Sequence, residues 1–288
     1  MSVYRSPAEL PNVPRAVAIG TFDGVHRGHQ AAIAATGDDV RRSTVVTFDP
    51  HPRLVLGYDV QLLSTLERRL ELIAEAGPDD ILVLEFTEAL SQLEPGEFVA
   101  EILKPLGTEV VVAAESFRFG RGRTGDVDLL RQLGLEVRDV PLVAGVSSSR
   151  IRELLAQGEI REAAALLGRP PELEGIVVSG DQRGGTLGFP TANLALEPNL
   201  LVPAYGIYAG AALDGRAAIS IGVNPHYGGN ERRIEAFLLD FEGDLYGRGL
   251  RIELWERLRD ERAFESEEEL VRQIALDVEA TRAAVRPG

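Results

Sequence analysis

The sequence predicts an α/β domain, with a parallel sheet covered by helices on both faces, followed by a compact antiparallel β-barrel with a C-terminal helix. Three observations lead to this fold class. The 288 residues suffice for two domains. Short β-branched runs alternate with helical periodicity in the first half, whereas glycine-separated strand patterns dominate from residue 175 onward. We therefore predict domains at 1–168 and 175–288, joined by a linker at 169–174.

Strands and helices alternate through the first half in the order expected of a parallel sheet. The predicted strands cover 15–20, 43–48, 81–86, 109–113 and 135–140, and the predicted helices cover 28–35, 64–76, 96–103, 127–133 and 149–167. Ser64 and Glu67 have the spacing of a capping box, and Gly77 with Pro78 ends that helix. Ligands of such sheets bind beyond the carboxyl ends of the strands.

The pattern changes at Pro170 and Pro171, which end the helical periodicity. The strands predicted beyond them cover 175–179, 206–213, 216–223, 234–241 and 250–256. Ser266 then opens an amphipathic helix in which Leu270, Ile274 and Val278 form one stripe. We expect this helix to pack on the barrel through that stripe.

Composition narrows the class of function. Thirty basic residues against 45 acidic ones give a net charge of −15, so we expect no nucleic-acid partner. The absence of cysteine excludes disulfides, thiol nucleophiles and Cys-ligated metals, and is typical of the cytoplasm. No apolar leader or membrane-length apolar run occurs. We therefore expect a cytoplasmic protein without a membrane partner; the sequence does not indicate an oligomeric state.

Two histidines, three residues apart, lie at the turn from the first predicted strand into the first predicted helix. The segment reads Gly20-Thr21-Phe22-Asp23-Gly24-Val25-His26-Arg27-Gly28-His29. Backbone N–H groups near a helix N-terminus favour an anion, and glycines let the backbone approach it closely. An isolated pair of this kind is more often two surface histidines, but here strand, glycines and helix agree on a phosphate site. The phosphate-binding residues predicted in this turn are Gly20, Thr21, Phe22 and Gly28.

This turn resembles the signature of the adenylyl-transferring nucleotidyltransferase superfamily, in which a substrate phosphate attacks the α-phosphorus of ATP. The resemblance implies a Rossmann-like fold, with His26 and His29 as catalytic groups that stabilise charge on the α-phosphate. A second matching motif is Val146-Ser147-Ser148-Ser149-Arg150-Ile151-Arg152. Its Ser148, Ser149 and Arg152 are expected to contact the triphosphate, although a serine run alone is also a common helix cap.

A glycine-rich stretch opens the second half. It reads Gly180-Asp181-Gln182-Arg183-Gly184-Gly185-Thr186-Leu187-Gly188-Phe189-Pro190-Thr191-Ala192-Asn193. Glycines provide a backbone cradle for phosphates, and a hydroxyl and an amide oxygen are hard ligands that Mg²⁺ accepts beside phosphate oxygens. We predict Thr191 and Asn193 as metal ligands. The phosphate-binding residues predicted here are Gly180, Arg183 and Gly188.

This stretch resembles the Gly-Phe-Pro-Thr-Ala-Asn signature of riboflavin kinases, and later segments follow in that family's order. These segments are Tyr205-Gly206-Ile207-Tyr208, Ile221-Gly222-Val223-Asn224-Pro225, Ile234-Glu235-Ala236-Phe237-Leu238-Leu239-Asp240-Phe241 and Asp244-Leu245-Tyr246-Gly247. Taken with the first half, the whole chain is similar to the bacterial bifunctional riboflavin kinase/FAD synthetases.

The resemblance implies two reactions: riboflavin is phosphorylated by ATP to FMN, and FMN is adenylylated by ATP to FAD and pyrophosphate, with Mg²⁺ in both. It assigns Glu235 as the base that takes the proton of the ribityl 5′-hydroxyl. It assigns flavin binding to Ser116, Phe117 and Arg118, in an Arg/Gly loop that composition alone describes equally well as an exposed basic loop. Without the motif, Glu235 would be interpreted as an outward strand carboxylate paired with a neighbouring arginine.

Three segments depart from the family pattern. His226 and Tyr227 replace Thr-Phe, Ser116 replaces an Asp or Asn, and Ala113-Ala114 replaces Val-Gly. These changes affect substrate affinity more than reaction class, and one hypothesis is that His226 approaches the kinase phosphates. Two other functions remain open from the sequence. One is a kinase whose first half adenylylates another phosphate substrate, and the other is a flavin carrier without turnover.

Overall fold

The structure is a computed structural model that describes residues 1–37, 39–140, 143–180, 189–223 and 232–288. The chain divides into two compact units. The first contains residues 1–60 and 66–147, and the second contains residues 61–65 and 148–288.

The first unit is built on a six-stranded parallel sheet with the strand order β1-β4-β3-β2-β5-β6. The strands are β1 (Ser2–Tyr4), β2 (Arg15–Ile19), β3 (Arg42–Asp49), β4 (Asp80–Glu85), β5 (Thr108–Ala113) and β6 (Glu136–Asp139). The predicted parallel sheet is confirmed. The edge strand β1 was not predicted, because three residues are too short to show a period.

Helices cover both faces of this sheet, as predicted. They are α1 (Arg27–Ala34), α2 (Pro52–Val55), α3 (Leu66–Glu75), α4 (Glu88–Ser91), α5 (Pro95–Phe98), which continues as a π-helical turn over Val99–Leu103, and α6 (Val127–Gln132). Neighbouring strand residues point to opposite faces. Ala16 of β2 therefore packs in one apolar cluster with Ile33 of α1 and Ile73 of α3, whereas Val17 packs in another with Leu106.

The second unit contains a closed antiparallel barrel with the strand order β10-β11-β8-β7-β12-β9. The strands are β7 (Glu172–Val178), β8 (Ala192–Leu196), β9 (Gly206–Ala212), β10 (Gly215–Val223), β11 (Arg232–Leu238) and β12 (Gly249–Arg259). The predicted barrel is confirmed, with one strand more than expected. The additional strand is β8, and it begins directly after the predicted ligand Thr191.

Among the described residues of the second unit, three helices accompany the barrel: α7 (Ser148–Gln157), α8 (Ile160–Leu167) and α9 (Glu267–Ala283). The single helix predicted over 149–167 is wrong. The chain breaks at Gly158, whose φ is +81°, and a Cβ there would meet Arg257 Cδ at 2.6 Å. Ile151 of α7 and Ile160 of α8 share the apolar core of the barrel. This packing places both helices in the second unit, whereas the domain boundary after Gly168 stays a prediction.

The C-terminal helix α9 docks differently from the prediction. Ser266 caps it as expected, accepting the Glu269 N–H at 3.1 Å. Its buried residues are Asp277 and Thr281, however, and the predicted stripe of Leu270, Ile274 and Val278 is only half-buried. Two barrel arginines explain the difference. Arg259 pairs with the Asp277 carboxylate at 2.7 Å, and Arg216 donates to the Thr281 carbonyl at 2.8 Å.

Among the residues that the structure describes, no helix combines the length and the hydrophobicity needed to cross a bilayer.

Candidate active sites

The histidine turn follows β2 at the carboxyl edge of the sheet. Gly20 N–H donates to the Val46 carbonyl of β3 at 3.1 Å, which keeps the start of the turn attached to the sheet. Phe22 and Val25 have φ values of +52° and +37°, a region that residues other than glycine rarely adopt. Backbone strain of this kind concentrates at functional sites. The backbone therefore supports the prediction of a functional turn.

His26 caps the helix that follows. Its Nδ1 accepts the His29 N–H at 3.2 Å, and only 7% of the residue is exposed. Sequence reasoning missed this cap because histidine is not among the residues preferred at helix N-termini. Since Nδ1 must keep a lone pair for this bond, the neutral ring carries its proton on Nε2. A Cβ at Gly28 would lie 3.3 Å from the His26 ring, so a larger residue would press on it.

His29 stacks on His26 with ring centroids 3.6 Å apart and an interplanar angle of 13°. Phe22 contacts the His29 ring edge-on at 5.1 Å. Burial, and secondarily the proximity of His26, hold the pKa of His29 well below its usual value. His29 Nδ1 is buried and has no hydrogen-bond partner within the described part of the chain. His29 is therefore neutral at pH 7, with a ring nitrogen available to a ligand.

A buried arginine lies behind this turn. Arg69 of α3 is 4% exposed, and its guanidinium donates to the carbonyls of Thr21 at 3.1 Å and of Phe48 at 3.0 Å. Burial lowers the pKa of Arg69, and the nearby carboxylates of Asp23 and Asp49 partly oppose that effect.

Sequence reasoning gave Arg69 no role. The signal was a charged residue in the apolar stripe of α3, three residues after Leu66 and four before Ile73.

The predicted flavin loop follows β5, which pairs with β2 in the sheet. Parallel neighbours end at the same edge, so this loop and the histidine turn share that edge. Ser116 and Arg118 are exposed, whereas Phe117 is half-buried and stacks on Phe119 at 5.7 Å. Arg118 donates to the Glu115 and Phe117 carbonyls of its own loop. The flavin assignments remain predictions.

Ser148, Ser149 and Arg152 lie at the start of α7, in the second unit. Ser149 is exposed, and Arg152 Nε donates to the Gln61 carbonyl at 2.6 Å. Their predicted contacts with the triphosphate remain predictions.

The strand ladder of the barrel brings two predicted kinase residues together. Glu235 of β11 lies directly opposite Asn193 of β8, and Ser220 of β10 lies opposite Glu235 on the other side. Ile234 and Ala236 point into the apolar core, so the alternation of the strand places Glu235 on the outer face, half-buried. We call Ser220, Glu235 and Asn193 the outer row. Thr191 precedes Asn193 by two residues and is half-buried.

Two glycines fit closely around the outer row. A Cβ at Gly180 would overlap the Asn193 amide, and a Cβ at Gly222 would overlap the Glu261 carboxylate. Burial, opposed by Arg259 and then reinforced by the charge of Glu235, raises the pKa of Glu261. Glu261 therefore lies within electrostatic reach of Glu235, and no sequence motif pointed to it.

The remaining predicted residues, Arg183, Gly188 and His226, lie outside the described residues. Among the described residues, no group of three or more His, Asp or Glu side chains could hold a metal ion. Thr191 and Asn193 offer a hydroxyl and an amide oxygen, which fit Mg²⁺ when phosphate oxygens complete its coordination.

Comparisons with known proteins match both halves of the chain. The family model described as riboflavin kinase matches residues 167–285, and that described as FAD synthetase matches residues 10–152. A bifunctional riboflavin kinase/FMN adenylyltransferase of Listeria monocytogenes is 36% identical, covering 96% of this chain and 94% of that protein. The Escherichia coli enzyme of the same name is 34% identical, with 96% of each chain covered.

The fold matches a solved structure from Streptococcus pneumoniae with a TM-score of 0.89 and 30% identity, covering 97% of this chain and 98% of that one. That structure is named a macrolide-efflux protein, but both family models and the relatives named above describe flavin-cofactor enzymes. The chain belongs to the bifunctional riboflavin kinase/FMN adenylyltransferase family.

Proposed function

We propose that the two reactions of this family take place at the two sites described above. Phosphorylation of riboflavin by ATP to FMN is assigned to the outer row of the barrel, and adenylylation of FMN to FAD and pyrophosphate is assigned to the histidine turn. Membership of the family supplies the two activities and their small-molecule substrates, riboflavin, FMN and ATP.

At the outer row, Glu235 is the base. The ribityl 5′-oxygen attacks the γ-phosphorus of ATP, its proton passes to the Glu235 carboxylate, and ADP leaves. Thr191 and Asn193 would hold Mg²⁺, which when bound would neutralise charge on the phosphates. The opposition of Asn193 and Glu235 on neighbouring strands supports this assignment, because it places the metal ligand beside the base.

At the histidine turn, catalysis depends on positioning and hydrogen bonding. A phosphate oxygen of FMN attacks the α-phosphorus of ATP, and pyrophosphate leaves without a covalent enzyme intermediate. His26 accepts the His29 N–H at Nδ1, so the proton of its neutral ring is on Nε2, and we assign this Nε2–H as the donor to an α-phosphate oxygen. His29 is neutral, so it too acts as a hydrogen-bonding group rather than as a cation.

The observation that carries the kinase assignment is the register of Glu235 against Asn193. The test is a Glu235→Gln variant incubated with ATP and Mg²⁺, with riboflavin, FMN and FAD separated chromatographically over time. We expect FMN formation from riboflavin to fall by about 10²- to 10⁴-fold, the range for loss of a general base. FAD formation from added FMN should be unchanged, and it serves as the folding control.

Full kinase activity in Glu235→Gln would show that Glu235 is not the base. Loss of both activities would indicate that the substitution damages the whole chain rather than one site. A wild-type protein that binds flavin and forms neither FMN nor FAD would favour a carrier.

A further inference from the structure

The carbonyl of Thr21 in the histidine turn accepts hydrogen bonds from two buried side chains. Arg69 Nη1 donates to it at 3.1 Å, and Thr47 Oγ1 donates at 3.1 Å. Arg69 is 4% exposed and Thr47 is fully buried. Arg69 also donates to the Phe48 carbonyl at 3.0 Å, so one guanidinium links the chain ends of β2 and β3.

Holding this carbonyl fixes the direction of the next N–H group. The peptide between Thr21 and Phe22 is trans and planar, so its C=O and N–H point in opposite directions. With Thr21 O held on the side of Arg69 and Thr47, the Phe22 N–H points to the other side. Within the described part of the chain, this N–H donates no hydrogen bond. It is a backbone donor left available beside the two histidines.

The strained conformation of Phe22 has to be held by its surroundings. Its φ of +52° is unfavourable for a residue with a side chain. The two bonds to Thr21 O act on the peptide that precedes Phe22, and Phe22 O accepts the Val25 N–H at 3.0 Å on the following side. Loss of the first pair would let the peptide rotate and turn a carbonyl oxygen towards the ligand, where it would repel phosphate oxygens.

We propose that Arg69 is a positioning residue for adenylyl transfer, which together with Thr47 holds the Thr21 carbonyl away from ATP and presents the Phe22 N–H to a phosphate. This inference rests on the proposed assignment of ATP to the histidine turn. Arg69 acts through the peptide, because its own guanidinium is buried behind the turn.

The test uses two conservative variants, Arg69→Lys and Thr47→Val, with the double variant. Lysine keeps the charge but lacks the fork of two nitrogens through which Arg69 bonds the two carbonyls, and valine keeps the shape of threonine without its hydroxyl. For FAD formation from FMN, we expect each single variant to raise KM for ATP about tenfold, the effect of one lost hydrogen bond. Because both side chains bond one acceptor, their effects should not multiply independently in the double variant.

Two controls separate positioning from stability. The kinase activity of the same variants should be unchanged. Arg15→Lys is the matched variant, because Arg15 is also a buried arginine, lies at the opposite end of β2, and bonds the Leu106 carbonyl and the Asp80 carboxylate. It should lower Tm without changing KM for ATP.

The proposal is overturned if Arg69→Lys and Thr47→Val lower Tm but leave both KM for ATP and kcat of FAD formation unchanged, as Arg15→Lys should. If Arg69→Lys does not fold, Thr47→Val decides alone. The site assignment is tested separately by His26→Ala. If this variant still forms FAD from FMN, the histidine turn is not the ATP site. If it loses that activity while Arg69→Lys and Thr47→Val have normal kinetics, only the role of Arg69 is rejected.

Discussion

The histidine turn and the outer row place their functional groups by different means. The turn is a loop, and its shape depends on a few buried side chains: His26 caps α1, and Arg69 and Thr47 bond the Thr21 carbonyl. In the outer row, Glu235 and Asn193 project from neighbouring strands whose register is set by backbone hydrogen bonds.

The difference determines what a substitution does. Under the proposed assignment, His26 of the turn both hydrogen-bonds the ligand and holds the loop, so changing it should alter activity and local stability together. A side chain of the outer row leaves the backbone ladder intact when it is replaced, so activity should change with little effect on stability. Variants in which activity and stability are measured separately therefore test this difference between the turn and the outer row.

Apart from Glu235→Gln, described above, the largest effect is expected at His26, where one side chain has both roles. His26→Ala removes the Nε2–H donor and the cap of α1, whereas His26→Asn keeps a side-chain oxygen that can cap. Both should reduce FAD formation by about 10²- to 10³-fold, as for loss of one donor to a developing charge. His26→Ala alone should lower the free energy of opening α1 by about 1 kcal/mol.

Hydrogen exchange of the α1 amides, followed by mass spectrometry, measures that second quantity. Equal protection of the α1 amides in the two variants would show that the His26 cap does not stabilise α1. In that case activity and local stability would be independent at the turn, as we expect for the outer row.

A smaller effect is expected at the outer row, through Gly180. A Cβ at this position overlaps the Asn193 amide, so Gly180→Ala must displace a predicted metal ligand while the strands stay paired. A misplacement of about 1 Å can lower a catalytic rate by about 10²-fold. FMN formation should fall accordingly, with Tm nearly unchanged.

Gly249→Ala is the matched control for Gly180→Ala, because a Cβ at Gly249 meets no atom within 4 Å. Kinase activity and Tm should both stay at the wild-type level in it. A large fall in Tm for Gly180→Ala would show that the outer row, like the turn, couples its geometry to stability.

The fold was largely predictable because its strands are apolar and its turns are marked by glycine and proline. The exceptions have local causes. β8 was not predicted because Asn193, near its start, was interpreted only as a metal ligand. The helix predicted over 149–167 is interrupted at Gly158, where the Arg257 side chain approaches the backbone too closely for a Cβ. On α9, the buried face is polar because Arg216 and Arg259 of the barrel supply its partners, and a helical wheel contains no information on those partners.

At the two sites, the candidate residues that the sequence predicted lie within recognisable motifs. Residues that lie far from those motifs in the sequence and reach a site only in the folded chain were missed. His26, Asn193 and Glu235 lie in such motifs. Arg69 and Glu261 do not, since each reaches its site only through tertiary packing. The cap made by His26 was also invisible, because it depends on which ring nitrogen faces the helix.

The smallest expected effect is a pH dependence that should be confined to the histidine turn. The pKa of His29 lies below its unfolded value of about 6.5, so the unfolded chain binds a proton more readily than the folded one. The folded state is therefore most stable above pH 6.5, and it loses stability as the pH falls from there towards the lowered pKa of folded His29. Protection of α1 amides should decrease from pH 7.5 to 5.5, after correction for intrinsic exchange, and less so in His29→Asn. Amides of α6 serve as the reference, and equal pH dependence of α1 in both proteins would assign the loss to groups other than His29.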